Sequence, residues 1–334
     1  MNKDPVQFPL HFAKYMNENL SIAARTPQPN GSDFKVARVS GFFSFLRYLS
    51  KSGDKTVILY FLSSKTKLRC IVIHACFPSV NIVIKADQDE NSFQVAKHMA
   101  TRRTLLRAPV RSLLNRLFYR AIRQICVETK SVHKVLSSLP ETRGKIFLMP
   151  NGSSCVPKIE NKKDLIVFIG RYQAPQKNFA LFNEAIQASL SVLDEWQVDV
   201  IGGTDKPSGT NQMSFLGTLQ HSQTMERLAE AKVLALSSEY EGSPIVFAEA
   251  KAAGCAILTT DVSSARDFVA NGADGEIAQI NLPDYAEKLK KIVDRCNRDD
   301  FDFLAIQQRY LDEFDWDKNC RALADKIGAA ANLN

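Results

Sequence analysis

The chain has 334 residues, 45% of them apolar and 24% charged, which are ordinary globular proportions and exclude a disordered or fibrous protein. This length exceeds what one hydrophobic core usually serves, so two domains are expected. No run of eighteen apolar residues occurs, and charged residues interrupt the first twenty positions, so we expect neither a membrane span nor a cleaved signal peptide.

The net charge of +7 combines two halves of opposite sign. Residues 1–152 carry 24 Lys and Arg against 9 Asp and Glu, a net +15, whereas the remainder carries 19 against 27, a net −8. The basic half is therefore expected to meet an anionic partner. The seven cysteines are odd in number and lack a CxxC pair, which indicates neither a zinc site nor a disulfide framework and predicts reduced, cytoplasmic thiols.

The first half alternates β-branched runs with helical stretches, the pattern of βα units on a parallel sheet. We predict strands at 35–39, 56–61, 81–85, 124–128 and 145–149. The turn residues Pro150, Asn151 and Gly152 close this series, and the polar stretch after them is a predicted linker between domains.

Residues 97–123 form a basic amphipathic stretch. No acidic residue occurs between Glu90 and Glu128, and leucines interleave with the cations. Such a face suits an anionic membrane leaflet carrying a lipid-linked acceptor. An ordinary solvated helix face is the alternative. The candidate membrane or acceptor contacts are Arg102, Arg103, Arg107 and Arg111.

A second βα series begins near position 165. The predicted strands are 165–169, 197–201, 213–216, 233–236 and 256–259, and the predicted helices are 178–190, 222–231 and 244–253. Ligands of open α/β sheets bind outside the carboxyl ends of the strands. The loops expected to carry the chemistry therefore follow Ile169, Ile201, Leu216, Leu236 and Thr259.

One of these loops leads into a helix whose start is suited to an anion. Gly242 allows close backbone approach, Ser243 is the predicted N-cap, and Pro244 is the predicted first helical residue. The free N–H groups of such a helix start are a binding site for a nucleotide diphosphate.

Two acids and two cations accompany this helix start. Glu241 precedes the helix and Glu249 lies about one and a half turns inside it, so they are placed to bind the hydroxyls of a sugar and of a ribose. Alone, the two acids could simply complement the helix dipole. Arg171 and Lys177 follow Gly170 at the end of another strand. A guanidinium, which donates two parallel hydrogen bonds, and an ammonium, which adds a compact positive charge, together suit a diphosphate.

Taken together, these segments resemble glycosyltransferase family 4, the group 1 family of retaining GT-B enzymes. The similarity covers about residues 151–324 and rests on the GR…KN loop at 170–178, Ile201-Gly202-Gly203, Phe215-Leu216-Gly217, the EGSP…EA…AG block at 241–254 and Phe314-Asp315-Trp316. It implies an α/β GT-B fold, with two Rossmann-like doubly wound parallel-sheet domains facing a central cleft. The implied domains are an abbreviated, basic acceptor-binding domain at 1–152, a nucleotide-sugar-binding domain at 153–310, and a C-terminal helix in 311–334 that packs toward the first domain.

The resemblance also implies a role for each site residue. Arg171 and Lys177 would bind the donor diphosphate, Glu241 the sugar hydroxyls and Glu249 the ribose. The backbone around Gly242, Ser243, Pro244 and Ile245 would complete the binding site of the phosphates. Leu216 would lie near the base. Gly170, Gly202 and Gly203 would leave the bottom of the donor-binding cleft free of side chains. Family members retain the anomeric configuration and generally need no metal ion, so we expect a nucleotide-diphosphate sugar as co-substrate and no further cofactor.

The N-terminal half departs from the family pattern. The first strand and Gly-Gly loop of the family are not recognisable after Met1, so that strand is missing or the domain is abbreviated. Where members carry a histidine, this chain has Lys85 and Asp87. Asp87 is our candidate to accept the acceptor proton, with anion binding by Lys85 or a solvated charged turn as alternatives.

The expected function is transfer of a sugar, with retention, to a hydroxyl of a glycan or lipid-linked acceptor in cell-surface polysaccharide or lipopolysaccharide synthesis. The protein is expected in the cytoplasm or on the inner face of the cell membrane. A sugar-nucleotide epimerase or phosphorylase of the same fold, or a catalytically inactive relative, remains an alternative. A nucleic-acid-binding protein is disfavoured because the basic half lacks recognisable motifs and stacking aromatics, so we expect no nucleic acid partner.

Overall fold

The structure is a computed structural model that describes residues 12, 21–24, 35–38, 41–53, 56–60, 63–86, 108–153, 155–203, 213–262, 264–270 and 272–331. These residues fall into two compact units. The C-terminal unit lies within Pro150–Trp316, and the N-terminal unit lies within Lys3–Met149 together with Asp317–Asn334. The domain limits expected from the sequence stay a prediction.

The N-terminal unit contains a four-stranded parallel sheet in the order β3-β4-β5-β6. Its strands are β3 (Thr56–Tyr60), β4 (Asn81–Ala86), β5 (Gln124–Val127) and β6 (Ile146–Leu148), and a separate parallel pair consists of β1 (Ser21–Ala24) and β2 (Lys35–Arg38). Five of these strands confirm the predicted ones within two residues. β1 was not predicted, because its four residues are too short to show a clear alternation.

Helices cover this sheet. They are α1 (Phe42–Ser52), α2 (Ser64–Cys76), α3 (Ala108–Ala121) and α4 (Lys130–Ser137). A further helix, α11 (Trp316–Ala331), begins at the last residue of the C-terminal unit and continues in the N-terminal unit, where Lys326 Nζ donates to the carbonyl of Ile146 at 3.3 Å. The side chains of Ser63 and Thr129 cap the N-termini of α2 and α4 by accepting from Thr66 N and Val132 N. The core is formed by buried aliphatic residues of β4 and β5 with Phe118 of α3.

The C-terminal unit is built on a six-stranded parallel sheet in the order β12-β11-β10-β7-β8-β9. The strands are β7 (Lys163–Ile169), β8 (Gln197–Ile201), β9 (Ser214–Gly217), β10 (Ala231–Leu236), β11 (Ala256–Thr260) and β12 (Gly275–Ala278). The order runs outward from β7 in one direction and from β10 in the other. The topological switch point of this doubly wound sheet therefore lies between β7 and β10.

The helices of this unit are α5 (Phe179–Gln187), α6 (His221–Glu230), α7 (Ile245–Ala252), α8 (Ala265–Phe268), α9 (Leu282–Asn297) and α10 (Phe303–Glu313). They pack on a core that contains the buried centre of β7 and nearly all of β10 and β11, as is typical of apolar strands in parallel sheets. The predicted strands and helices of this region are confirmed within about three residues. Within the described parts of the chain, no helix has the length and apolar composition needed to cross a bilayer.

Candidate functional site

Two loops meet at the switch point of the C-terminal sheet, one following β7 and the other following β10. The backbone N–H of Glu239 donates to the carbonyl of Gln176 at 2.9 Å, and Gln176 Nε2 donates to the carbonyl of Tyr240 at 2.9 Å. Lys177 Nζ contacts the carboxylate of Glu241 as a hydrogen-bonded ion pair. The β7 loop and the β10 loop therefore form one structure.

Serine side chains strengthen this junction. Ser237 Oγ donates to the carbonyl oxygens of Lys177 at 3.1 Å and Asn178 at 2.8 Å, and Ser238 Oγ donates to Glu241 Oε1 at 2.8 Å. Asn178 has a left-handed backbone, with φ at +44°, which turns the chain into α5. Several hydrogen bonds thus hold the Lys177–Glu241 pair in one geometry.

The ion pair is largely shielded from water. The side chains of Lys177 and Glu241 are only 16% and 10% exposed. Electrostatic interactions are stronger in such a setting than at an open surface, because the effective dielectric is lower. Two residues that the sequence assigned to a phosphate and a sugar thus lie in direct contact.

Arg171 belongs to the same loop but not to this pair. Its carbonyl accepts from Ala174 N at 2.8 Å at the start of the turn that carries Lys177, and its side chain is exposed. The guanidinium is therefore at the protein surface beside the junction, where its predicted contact with a diphosphate is untested.

Glycines line the carboxyl ends of β7 and β8. A Cβ atom on Gly170 would lie 3.2 Å from Cε of Lys177, and one on Gly202 would lie 2.4 Å from the carbonyl oxygen of Gly170. Gly203 has φ at +91°, and a Cβ there would lie 2.2 Å from the ring of Tyr172. A side chain at any of these three positions would require neighbouring protein atoms to move, which explains why glycine is found at each of them.

Leu216, the predicted neighbour of the base, is in β9 and is half-buried. It belongs to the strand that carries Gly217, whose carbonyl accepts from Gly202 N at 2.7 Å. The ends of β7, β8 and β9, three of the five strand ends named from the sequence, are thus adjacent in the sheet.

The start of α7 differs from the prediction by one residue. Pro244, with φ −66° and ψ 125°, is the N-cap and the helix begins at Ile245, so the predicted N-cap role of Ser243 is wrong. The extended ψ of Pro244 keeps it outside the helix, because N-cap residues are non-helical. Ser243 instead is buried, and its carbonyl accepts from Asn151 Nδ2 at 2.7 Å. Its Oγ has no hydrogen-bond partner among the described residues.

Glu249 lies on α7 with its side chain 8% exposed. His221, the first residue of α6, contacts it, with Nε2 3.0 Å from Oε1. Sequence reasoning did not find His221, because the two residues are 28 positions apart and only the packing of α6 against α7 brings them together. It also did not single out Gln176, although Gln176 is in the loop that was recognised.

The N-terminal unit corrects one interpretation. Lys85 is fully buried in β4 and pairs with Glu128, whose side chain is 3% exposed. It is neither part of a solvated turn nor available to an external anion, because its charge is compensated inside the protein, as a buried ammonium requires. Asp87, Arg102, Arg103 and Arg107 lie outside the described residues, as does the side chain of Arg111 in α3.

Within the described ranges, no group of three His, Cys, Asp or Glu side chains is arranged as metal ligands. Metal independence stays a prediction.

Solved structures share this architecture. The apo form of WaaB, a lipopolysaccharide outer core galactosyltransferase, matches with a TM-score of 0.67 at 12% identity, covering 97% of this chain and 94% of that one. HepE of Anabaena, solved in complex with UDP, matches with a TM-score of 0.61 at 13% identity, covering 86% and 82%. Such low identities establish the fold alone, and they confirm the predicted α/β GT-B class.

The family is visible in the C-terminal unit. Residues 163–295 match the family model of glycosyl transferases group 1. Phosphatidyl-myo-inositol mannosyltransferase of Mycobacterium tuberculosis is 26% identical over 127 residues, which are 36% of this chain and 34% of that protein. The C-terminal unit of this chain therefore contains a segment similar to the group 1 glycosyltransferases. The aligned segment spans about a third of the curated mannosyltransferase.

Proposed function

We propose that this protein is a retaining glycosyltransferase that moves a sugar from a nucleotide-diphosphate sugar to a hydroxyl of a glycan or lipid-linked acceptor. The observation that carries this proposal is the contact between Lys177 and Glu241 at the switch point of the C-terminal sheet. It falls inside the segment matched to the group 1 family, close in the chain to the glycines that follow β7 and to the start of α7.

In the proposed donor complex, the diphosphate lies beside Lys177 at the ends of β7 and β8, where the chain carries Gly170, Gly202 and Gly203. Lys177 and Arg171 supply positive charge, and the N–H groups at the start of α7 supply hydrogen bonds. The diphosphate competes with Glu241 for Lys177, which leaves the carboxylate to accept hydrogen bonds from the sugar hydroxyls. Leu216 lies at the base and Glu249 at the ribose.

The proposed chemistry is a front-face exchange at the anomeric carbon. The bond from that carbon to the phosphate oxygen breaks, the acceptor oxygen bonds to the same face, and the acceptor proton passes to the departing phosphate oxygen. Negative charge grows on the diphosphate during this step, so the cations beside it stabilise the transition state more than the ground state. The basic pair thereby takes the role that a metal ion has elsewhere.

The test uses the purified protein with UDP-glucose and GDP-mannose as donors. Removing one group that stabilises the transition state typically costs about 2.7–4 kcal/mol, so Lys177→Ala and Arg171→Ala should each lower kcat by about 100-fold to 1,000-fold. Lys163→Ala is the matched control, because Lys163 is 55% exposed at the opposite end of β7.

Three results would contradict the proposal. A wild-type kcat in the double variant Arg171→Ala/Lys177→Ala would show that the two cations do not contribute to catalysis. An inverted anomeric centre in the product, measured by NMR, would exclude retention. Epimerisation of the donor without acceptor, and no transfer with it, would assign the site to an epimerase.

We further propose that the N-terminal unit binds an anionic membrane surface on the inner face of the cell membrane. α1, α2 and α3 contain no acidic residue. α2 and α3 pack together, and Lys67 Nζ of α2 donates to Asn115 Oδ1 of α3 at 3.0 Å. Large apolar side chains are exposed on the three helices beside exposed cations, a combination that favours anionic lipid. They are Phe43, Leu68, Leu113, Leu114 and Leu117, with Arg69, Arg116 and Arg120.

This surface predicts binding to vesicles of phosphatidylglycerol and phosphatidylcholine, but not to phosphatidylcholine alone, in a flotation assay. The variant Leu113→Glu/Leu117→Glu should lose most of the binding. Leu304→Glu is the matched control, because Leu304 is a 63% exposed leucine of the C-terminal unit. Equal flotation with neutral and anionic vesicles, or an unaffected double variant, would exclude this surface.

A further inference from the structure

The contact between His221 and Glu249 has no role in the chemistry described so far. His221 Nε2 lies 3.0 Å from Glu249 Oε1. The side chain of Glu249, on α7, is 8% exposed. The side chain of His221, the first residue of α6, is 26% exposed and is therefore the more solvent-accessible member of the pair. The contact therefore links a helix that follows β9 to the helix that follows the Glu241 loop.

A glutamate that binds a ribose needs a fixed orientation. The χ3 torsion of a glutamate has a broad distribution of angles, and the side chain loses appreciable rotamer entropy when it becomes ordered. An imidazole N–H that donates to one carboxylate oxygen fixes the plane of the group before a ligand arrives. Less ordering is then left for the ligand to bring about, which strengthens binding.

We infer that His221 is a positioning residue of the donor site, which orients Glu249 for the two hydroxyls of the donor ribose. This inference rests on the proposed function, because it needs a nucleotide donor. His221 acts through Glu249 and need not touch the ligand. Its loss should therefore weaken only those ligands that carry the ribose hydroxyls.

The experiment compares ligands with and without these hydroxyls. UDP and GDP are titrated calorimetrically into the wild-type protein, and the one that binds is compared with its 2′,3′-dideoxy analogue. His221→Leu should weaken binding of the natural nucleotide by about 3-fold to 10-fold, the value of one hydrogen bond, and leave binding of the dideoxy analogue unchanged. His221→Gln should retain most of the affinity, because its amide also donates an N–H.

Two controls separate positioning from folding. Glu226→Gln changes an exposed residue of α6 and should alter neither affinity. If His221→Leu does not fold, His221→Asn replaces it, because the asparagine amide is too short to reach the carboxylate while remaining polar.

The outcomes distinguish this inference from the function on which it rests. Equal weakening of both ligands by His221→Leu, or a loss in His221→Gln as large as in His221→Leu, would overturn the positioning role while leaving the nucleotide site intact. A wild-type protein that binds neither UDP nor GDP would overturn the proposed function and this inference together.

Discussion

At Gly202 the backbone of a neighbouring strand leaves no space for a side chain. Its φ is +107°, and a Cβ there would lie 2.4 Å from the carbonyl oxygen of Gly170. Gly217 also has a positive φ, +65°, but a Cβ there would meet no atom within 4 Å. The two glycines separate the effect of conformation from the effect of close packing.

We expect Gly202→Ala to lower the free energy of unfolding by about 3 kcal/mol and Gly217→Ala by about 1–2 kcal/mol. The positive φ alone costs roughly 1–2 kcal/mol for an L-residue, and forced overpacking adds about 1–3 kcal/mol. Urea unfolding of the two variants measures the difference. Equal losses would show that the close approach of Gly202 to Gly170 has no energetic importance.

Gln176 joins the two loops of the donor site without carrying a charge. Its Nε2 lies 2.9 Å from the carbonyl of Tyr240 and 3.4 Å from Glu241 Oε2. A small displacement of catalytic groups can cost up to about 100-fold in rate. We expect Gln176→Ala to lower kcat/KM for transfer by about 10-fold to 100-fold with little change in melting temperature.

Gln173→Ala, a change at an exposed glutamine of the same loop, is the control and should leave kcat/KM within about twofold of wild type if loop order depends on Gln176. Equal losses in both variants would mean that the loop as a whole, and not Gln176, sets the geometry.

At the scale of elements, buried charges tie α7, α10 and the start of β12 together. Lys251 Nζ of α7 lies 2.5 Å from Oδ2 of Asp274, and Arg309 of α10 contacts the same oxygen. Burial lowers the pKa of Lys251 to about 8, and the second cation on Asp274 adds to this effect. Both side chains of the Lys251–Asp274 pair are almost fully buried.

This shift predicts a pH dependence of stability. The folded protein releases the Lys251 proton near pH 8, whereas an unfolded chain holds it to about 10.4, so the unfolded state binds more protons in between. The contribution of Lys251 to the free energy of unfolding should therefore rise, by about 1–3 kcal/mol, as the pH increases from about 8 to about 10.

Urea unfolding at pH 7.5 and pH 10 should show a change in the free energy of unfolding that is more positive by this amount in the wild type than in Lys251→Met, because buried thiols such as Cys70 respond to pH equally in both. Lys291→Met, at a half-exposed lysine of α9, should behave like the wild type. The same pH-dependent change in Lys251→Met as in the wild type would assign the pH dependence to other groups.

At the scale of the whole molecule, the two hydrophobic cores are separate and the tryptophans report on only one of them. The cores lie in different units, and both tryptophans of the chain, Trp196 and Trp316, belong to the C-terminal unit. Tryptophan fluorescence therefore follows unfolding of the unit that contains the proposed donor site.

We expect the nucleotide that binds, UDP or GDP, to raise the fluorescence-detected unfolding temperature. At 100 times its Kd it should add about 2.7 kcal/mol to the stability of the binding unit. The corresponding nucleoside, which lacks the diphosphate, should give a much smaller shift because the proposed site binds mainly the diphosphate. An equal shift by the nucleoside would place the main contacts at the base and ribose.

Most strands of both sheets were predictable because each is a short β-branched run that becomes buried. The Gln197–Ile201 strand was predicted with its observed limits, and the others differ by one or two residues at their ends. β12 and α8, each only four residues long, are too short to show a clear periodicity, and α9 and α10 were not predicted either. The one-residue error at Ser243 arose because proline is common at the first position of helices, whereas Pro244 has an extended ψ and precedes the helix.

By itself, the sequence determined the α/β class, the succession of βα units and the family resemblance, because these depend on local periodicity and on motifs within single loops. Only the tertiary structure decided which distant residues meet. Lys177 pairs with Glu241 across 64 positions, His221 with Glu249 across 28, and Lys85 with Glu128 across 43. These contacts depend on strand order and on how helices pack, which a hydrophobic pattern along the chain does not encode.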